Sequence, residues 1–242
     1  MTVSRPAGAA EAVSAWRERY RASEIPPGYR GPSHLAFTSL VCLGIVALGL
    51  ANLEAVRLVE WLTVPLTFLY ANLVEYIGHR GPMHHRTKGL GLLFQRHTLV
   101  HHRFFTRDAM AFESTRDYKA VLFPPVLLIF FVGAFALPAG LLIARFLGAN
   151  TAWLFVITAV GYFLNYEWLH FAYHTPDGSP WSRFPGIRRL RRLHAYHHDP
   201  SLMQRYNFNI TYPIADRLFG SYFRPESRSI TDPAFRSDCG GT

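Results

Sequence analysis

The sequence predicts an all-α integral membrane protein, with four transmembrane helices in two hairpins and a helical cap on the cytoplasmic side. Three observations lead to this fold class. Half of the 242 residues are hydrophobic and only 17% are charged, whereas about a quarter of the residues in a soluble protein are charged. Four stretches are long and apolar enough to cross a bilayer, which takes about 20 residues. The basic residues also fall almost entirely on one side of these stretches.

The four apolar stretches form two pairs, each joined by a short turn. In chain order they cover residues 34–53, 56–77, 120–147 and 151–173. The turns read about "EAV" after the first stretch and "GAN" after the third, so each pair predicts a tight helical hairpin. Proline fixes φ and lacks an amide donor, so Pro124, Pro125 and Pro138 are expected to kink or bound the third stretch.

The distribution of lysine and arginine predicts the orientation. Of 25 such residues, 23 lie before residue 34, within 80–119 or after residue 174, and only Arg57 and Arg145 lie near the opposite side. Cytoplasmic segments carry an excess of these residues, so both termini and the central segment are expected in the cytoplasm. The net charge of +9 then reflects topology, and no nucleic-acid partner is expected. We expect the membrane to be a bacterial inner membrane.

These boundaries divide the chain into a cytoplasmic segment (1–33), a membrane domain (34–223) and a C-terminal tail (224–242). The first segment contains "AEAVSAWRERYRA", which predicts either an amphipathic helix on the membrane surface or a solvated lead-in. The only two cysteines are Cys42 and Cys239, which excludes a disulfide framework or a cysteine-based metal site.

Histidine is concentrated in four short windows on the predicted cytoplasmic side. Eleven of the twelve histidines lie in "HRGPMHH", "HTLVHH", "HFAYH" and "HAYHH". Neutral imidazole is the commonest nitrogen ligand for metals. His97 and His101, four residues apart, would share one helix face, and so would His170 and His174. Adjacent helical residues point about 100° apart, so each doubled histidine can serve two metals.

A single pair of this kind is weak evidence, because surface helices carry such pairs without metal. The pair at the end of the fourth stretch is stronger, since ionisable groups in a membrane span are costly and usually functional. Four windows on one side favour one shared di-metal site. His85 lies outside the spacing and is expected at the surface or beside a ligand, and His34 is expected to be an ordinary interfacial residue.

The ordered set His-x4-His, His-x3-His-His, His-x3-His and His-x2-His-His resembles the fatty acid hydroxylase superfamily of membrane di-iron enzymes. That family includes fatty acid 2-hydroxylases, sterol desaturases and methyl oxidases, and carotenoid hydroxylases. "EYIGHRGPMHH", "DYKAVLFPP" and "NFNITYPIADRLFGSYF" are similar to its opening, its lead into the second hairpin and its closing segment. The resemblance covers about residues 35–223. Two departures from the family pattern leave the subfamily open. His85 is an extra histidine, and "PIADRLFGS" lacks the aromatic residue that commonly precedes the Asp and the Thr that commonly follows the Gly.

The resemblance implies two iron ions, for which zinc can substitute, and O2 as co-substrate. Its ligands would be His79, His84, His97, His101, His102, His170, His174, His194, His197 and His198. Acceptors are expected to orient each ring through its other nitrogen. Glu75 and Glu167 are candidates, because each lies on the helical face of the first histidine of its window; a solvated face is the alternative. Asp199 and Asp216 are weaker candidates, and Asp216 has the alternative of anchoring the tail.

The family's substrates imply an apolar lipid that enters from the membrane, most simply an acyl chain. Aromatic residues near the windows are expected either to line its path or to pack in the core: Phe94, Phe104, Phe105, Tyr166, Trp168, Phe171 and Tyr173. Electrons would come from a separate donor, a ferredoxin or a b-type cytochrome with its reductase. The run "RRLRR" at 188–192 would dock such an acidic donor or grip anionic headgroups.

Three functions remain open at this point. An O2-dependent lipid hydroxylase leads, because "HxxxH" in the fourth stretch and "DYKAVLFPP" look more like hydroxylases than like acyl-CoA desaturases with three histidine boxes. A lipid or sterol desaturase or methyl oxidase of the same superfamily is the alternative. The third is a zinc-binding membrane protein without redox activity, either a transporter or a structural protein. A transporter is expected to carry ionisable residues in mid-membrane, and the four stretches are apolar there.

The predicted orientation can be tested with reporters. Tags at either terminus should be found in the cytoplasm, and a reporter inserted near Asn150 should be found outside, because 23 of the 25 basic residues lie on the side of the histidine windows. Protease protection in sealed vesicles distinguishes the two sides. Finding either terminus outside would contradict a single cytoplasmic histidine layer.

Overall fold

The computed structural model describes residues 7–223, and this part of the chain is helical without any β-strand. The all-α fold class is therefore confirmed over the described range. The predicted tail at 224–242, with Cys239, lies outside it. The helices, in chain order, are α1 (Ala7–Ser23), α2 (Gly31–Ala51), α3 (Thr63–Gly78), α4 (Gly91–Phe94), α5 (His102–Phe104), α6 (Tyr118–Val121), α7 (Pro125–Phe131), α8 (Leu137–Leu147), α9 (Ala149–Tyr173), α10 (Pro185–His197) and α11 (Ile214–Leu218).

Three segments wind as wider π-helical turns: His79–Met83 after α3, Gln95–His101 between α4 and α5, and Val132–Ala136 between α7 and α8. Such turns are rare and occur often at functional sites. Two of the three carry histidine windows. Prolines act as predicted, since Pro125 begins α7 and Pro138 stands in the first turn of α8.

The long helix α9 is the centre of the bundle and packs against α2, α3 and α8. Its Val160 is fully buried with Cys42 of α2 and Leu128 of α7. Gly49 allows α2 to approach closely, because a Cβ at that position would lie 2.6 Å from Cγ1 of Ile157. Close packing of this kind joins α2 to the central helix.

The outer helices present apolar side chains outward. Large exposed hydrophobic residues on α2, α3, α7, α8 and the π-helical turn between α7 and α8 include Leu40, Leu48, Leu66, Leu69, Ile129, Phe135, Leu141 and Phe146. Within the described range, two helical stretches are long and apolar enough to cross a membrane, Gly31–Ala51 and Thr115–Leu147. These contain most of the predicted stretches 34–53 and 120–147.

The other two predicted stretches differ in detail. The second was expected from residue 56, but α3 begins only at Thr63, because the chain between α2 and α3 forms a turn that ends in a short 3₁₀ helix, Glu60–Leu62. The fourth corresponds to α9, which runs for 25 residues and buries eleven of them.

The two hairpin turns are bonded to each other at one end of the bundle. Asn150 donates from Nδ2 to the Glu54 carbonyl at 2.7 Å, and its Oδ1 accepts from the Glu54 amide at 3.0 Å. Since α3 and α9 both start at this end, their C-termini, with the histidines, lie together at the other end.

The N-terminal helix α1 packs on the protein, which neither sequence interpretation anticipated. Its Trp16 and Tyr20 contact Phe104 edge to face. Arg17 is 3% exposed and donates to the carbonyls of Phe104 at 2.8 Å and Ala109 at 2.6 Å. A buried guanidinium needs such partners, and α1 is thereby fastened to the segment that follows the second histidine window.

Replacing Arg17 by Ala should destabilise the protein by about 3 kcal/mol, because several charge-assisted hydrogen bonds are lost and buried carbonyls remain unpaired. The thermal midpoint of the protein in detergent measures this. Arg19→Ala is the matched control, since Arg19 lies exposed on the same helix. Equal midpoints for both variants would show that α1 is not held through Arg17.

Candidate metal centre

The structure brings ten of the twelve histidines into one buried layer. Each of the ten is at most 8% exposed. Four parts of the chain supply them: the π-helical turn after α3 with the residues that follow it, the segment from α4 to α5, the end of α9 and the end of α10. In chain order the ten are His79, His84, His97, His101, His102, His170, His174, His194, His197 and His198. His85 is exposed, in keeping with what the sequence suggested. His34 lies elsewhere, at the start of α2.

The layer divides into two groups. The first group consists of His79, His84, His97, His102 and His197. The second consists of His101, His170, His174 and His194. Each histidine offers one ring nitrogen, and within each group these nitrogens lie within 4.8 Å of one another. Nε2 of His198 lies 3.1 Å from that of His101 and 3.0 Å from that of His194, so His198 borders the second group.

Two of the three doubled histidines are divided between the groups. His101 belongs to the second group and His102 to the first, and the same division separates His198 from His197. Two histidines that follow one another therefore link the two centres.

The spacing of His97 and His101 predicted that the two would share one helix face. Their rings are adjacent, with centroids 5.3 Å apart, but they belong to different groups, and His97 is grouped with His102 instead. The reason is the π-helical backbone, in which the His102 amide donates to the His97 carbonyl five residues earlier. An α-helical periodicity does not describe this window.

Backbone carbonyls orient half of the ten rings. His101 donates from Nδ1 to the Ala120 carbonyl at 2.9 Å, and His174 donates to the Met110 carbonyl at 2.7 Å. His197 donates to the Tyr206 carbonyl at 2.8 Å, and His198 donates to the Phe105 carbonyl at 2.6 Å. His79 donates from Nδ1 to the Phe208 carbonyl. A carbonyl oxygen only accepts, so Nδ1 carries the proton of each ring. The Nε2 atom is left with a free lone pair, which is the form that binds a metal.

The facing lone pairs fit a cation. Nε2 of His101 and Nε2 of His198 are 3.1 Å apart, and neither holds a proton to share with the other. The Nε2 pairs His79–His97 and His84–His197 are 2.8 and 2.9 Å apart. Two nitrogens bound to one metal at about 2.1 Å and at a right angle are separated by about 3.0 Å. The residues present therefore suit a metal ion in each group.

Burial keeps these rings neutral. Desolvation lowers the pKa of His84 to about 2, that of His101 to about 3 and that of His197 to about 4, from an ordinary value of 6.5. An imidazole must be deprotonated to bind a metal, so these side chains are in the ligand form at neutral pH.

The loop between α10 and α11 is held by Glu75, which the sequence suggested as a direct partner of a histidine ring. One carboxylate oxygen accepts from the amides of Ile210 at 2.5 Å and Thr211 at 3.0 Å. The other accepts from the hydroxyls of Tyr162 at 2.5 Å and Thr211 at 2.6 Å. The structure thus places Glu75 against the backbone of the loop, and the loop in turn supplies the carbonyls that orient His79 and His197.

Asp216 holds the same loop from the other side. It is fully buried and accepts from the amides of Phe208 at 2.9 Å and Asn209 at 2.8 Å, and from Ser221 at 2.7 Å. The alternative that Asp216 caps or anchors the tail stays a prediction, because the tail lies outside the described residues. Asp199 is placed at the rim, where it pairs with Arg107 at 2.7 Å.

Glu167 is placed beside the layer without a hydrogen bond to an imidazole. Its Oε2 lies 3.4 Å from the Phe123 amide, and its Oε1 is buried with no partner among the described residues. The structure therefore assigns ring orientation mainly to carbonyls, where the sequence suggested carboxylates.

Several aromatic residues form an apolar wall around the layer. Phe105 is fully buried and lies with its ring centroid 4.1 Å from that of His174. Phe104, Phe105 and Phe171 pack in the core cluster under α1, and Tyr166 and Tyr173 pack in a second cluster. Trp168 and Phe94 are only partly buried.

Sequence reasoning missed Asn72. This residue is 1% exposed within the apolar helix α3 and donates to the Tyr212 carbonyl at 2.8 Å, while its Oδ1 accepts from the Ala215 amide at 3.2 Å. It secures the far end of the loop that carries Phe208. A lone amide within an apolar stretch was the available signal, because a polar group there is costly without partners.

Comparison with known proteins gives a consistent result. The model of the family described as "Fatty acid hydroxylase" matches residues 64–221. The solved structure described as "Full length scs7p (only hydroxylase domain visible)" superimposes with a TM-score of 0.55 at 21% identity. The match covers 79% of this chain and 66% of that one, so this chain spans just under two thirds of the length of its structural relative. At this identity the likeness shows the fold alone. Among curated proteins no match is found. Because the family model covers more than half of the sequence, this chain belongs to the fatty acid hydroxylase family.

Proposed function

We propose that this protein is a membrane di-iron oxygenase that hydroxylates the acyl chain of a lipid, using O2 and electrons from a separate donor. The observation that supports this most directly is the pair of buried imidazole groups, whose Nε2 atoms converge at about 3 Å. Membership of the family adds the reaction class.

Two iron ions held by the ten histidines would supply the reduction of O2 and the oxidation of an unactivated C–H bond. Zinc is expected to occupy the same nitrogen ligands when iron is scarce. The chain itself contributes the orientation of the ligands and a dry environment, since no ligand is more than 8% exposed. Exclusion of water protects a reactive oxidant from side reactions.

The membrane arrangement that we propose has four transmembrane helices and a cytoplasmic histidine layer. The exposed apolar side chains of α2, α3, α7 and α8 support lipid contact on all outer helices. Basic residues concentrate at the histidine end, which supports a cytoplasmic location of the histidine layer. The proposal places the protein in a bacterial inner membrane. An acyl chain would then reach the layer laterally from the leaflet.

An electron donor with an acidic surface is the partner that we propose for α10. Arg188, Arg191 and Arg192 of this helix border a cleft that also includes Met110, whose carbonyl orients His174. A ferredoxin, or a b-type cytochrome with its reductase, would bring electrons close to the second histidine group there. Anionic headgroups are the competing occupant of this basic run.

Replacing His174 by Ala should reduce bound iron by at least half, because His174 supplies a buried nitrogen 3.0 Å from that of His194. Metal analysis of the purified protein measures the iron. His85→Ala is the matched control, since His85 is exposed and belongs to neither group. Full iron content in the His174 variant would contradict a shared dinuclear centre.

The reaction can be tested with labelled oxygen. Iron-loaded protein given a reductant, a lipid and ¹⁸O2 should place one labelled oxygen atom in the lipid product, as detected by mass spectrometry. A product that gains a double bond without label would identify a desaturase instead. A protein that contains zinc and turns over no O2 after iron loading would favour the redox-inactive alternative.

A further inference from the structure

A cleft of about 560 Å³ opens at the N-terminus of α2, outside the histidine layer. Phe37, Pro124 and Pro125 form its apolar part. Phe37 is 44% exposed, so this wall is open to the surroundings of the protein. The cleft therefore offers an apolar surface that leads toward the lipid-facing helices α2 and α7.

The polar part of the cleft is positively charged. Arg30, Arg96 and Lys119 line it, and no carboxylate does so among its described lining residues. Arg96 donates from one terminal nitrogen to the Tyr20 hydroxyl at 3.0 Å and from the other to the Lys119 carbonyl. Its Nε is buried and has no hydrogen-bond partner in the described structure. A buried N–H of a cation without a partner is costly. Nε itself has almost no accessible surface, so an anion in the cleft would be attracted by the charge of Arg96 and would not bond to that atom.

The start of α2 strengthens the positive potential. Its N-terminal residues border the cleft, and the first amides of a helix carry a partial positive charge. His34 also lines the cleft. Its Nε2 donates to the Phe123 carbonyl at 3.1 Å and its Nδ1 accepts from the Tyr29 hydroxyl at 2.8 Å, so its ring is neutral. The described lining of the cleft therefore offers cations and donors and no carboxylate, although Lys119 also donates from Nζ to the Glu24 carbonyl outside it.

A second cleft on the protein provides the contrast. It is lined by Arg107 and Arg191, but these pair with Asp199 at 2.7 Å and with Asp177 at 2.8 Å. In this cleft, which is the one that α10 borders, carboxylates of the protein itself therefore pair with two of the lining arginines.

Two residues that line the cleft at α2 are neighbours in sequence of residues in or bonded to the histidine layer. Arg96 directly precedes His97 of the first group. Lys119 directly precedes Ala120, whose carbonyl accepts from Nδ1 of His101 in the second group at 2.9 Å. A molecule bound in the cleft would thus lie next to the segments that carry the ligands.

We propose that this cleft binds the anionic end of a membrane amphiphile, a carboxylate or a phosphate, with the adjoining hydrocarbon chain against Phe37, Pro124 and Pro125. This proposal rests on the proposed function, because it names the class of lipid that would be presented to the metal centre for oxidation. It concerns binding alone, and so it can be tested without turnover.

The test uses full-length protein in dodecyl maltoside and a photoreactive hexadecanoate with a diazirine in its chain. Crosslinked peptides, identified by mass spectrometry, should come from residues 24–37 and 118–131. Unlabelled hexadecanoate or phosphatidate should compete, and which of the two competes better identifies the headgroup. Hexadecan-1-ol should compete at least about tenfold less well, because it lacks the charge. Equal competition by hexadecan-1-ol, or by inorganic phosphate, would overturn the proposal.

Variants locate the anion. Arg96→Gln should weaken hexadecanoate binding about tenfold and Arg96→Lys less, because the positive charge beside the cleft is lost in the first variant and kept in the second. Arg30→Gln should weaken it about threefold, and it carries the test if the Arg96 variant does not fold, since Arg30 is exposed. Lys88→Gln, exposed between two histidine windows, is the control. Unchanged affinity in Arg30→Gln and in folded Arg96→Gln would overturn the proposal. Failure of the ¹⁸O2 reaction with this binding intact would instead overturn the proposed function alone.

Discussion

The hydrogen bonds from imidazole Nδ1 to backbone carbonyls are the constraint on which the rest of this structure depends. Each one fixes the plane of a ring, places its proton and leaves the opposite nitrogen as a lone pair. Five rings are fixed in this way, from four different parts of the chain. The cost of this order is that lone pairs face each other at about 3 Å in a dry interior. A bound cation removes that repulsion, so metal binding and folding are coupled.

The carbonyls need support of their own, and much of the remaining polar chemistry provides it. Glu75 and Asp216 hold the amides of the loop that presents Phe208. Arg17 holds the carbonyl of Phe104, next to the residue that orients His198. Carboxylates and a guanidinium thus act on the backbone, and the backbone acts on the imidazoles. Buried charges are costly unless they are paired, and these find their partners in main-chain groups that the fold leaves free.

Much of the fold and site could be predicted from the sequence, because apolar length and histidine spacing are local signals. The helical class and the convergence of four windows depend on these signals. The π-helical turn at His97–His102 could not be read from an α-helical period, because its hydrogen-bond pattern differs. The role of Glu75 was also hidden, since the loop it binds lies 135 residues further along the chain. The docking of α1 depends on contacts of Arg17 that span 87 to 96 residues, and a sequence pattern within one helix carries no trace of them.

The use of main-chain oxygens to orient the ligands has an evolutionary consequence. Every amino acid possesses a carbonyl, so the side chains at Phe105, Met110, Ala120, Tyr206 and Phe208 are not chosen for the hydrogen bond that they provide. Substitution at these positions leaves the acceptor in place as long as the backbone keeps its path. The wall around the centre can therefore diversify under selection for new molecules while the imidazoles beneath it stay fixed. Such a division lets one ligand scaffold be inherited by proteins whose sequences otherwise drift far apart.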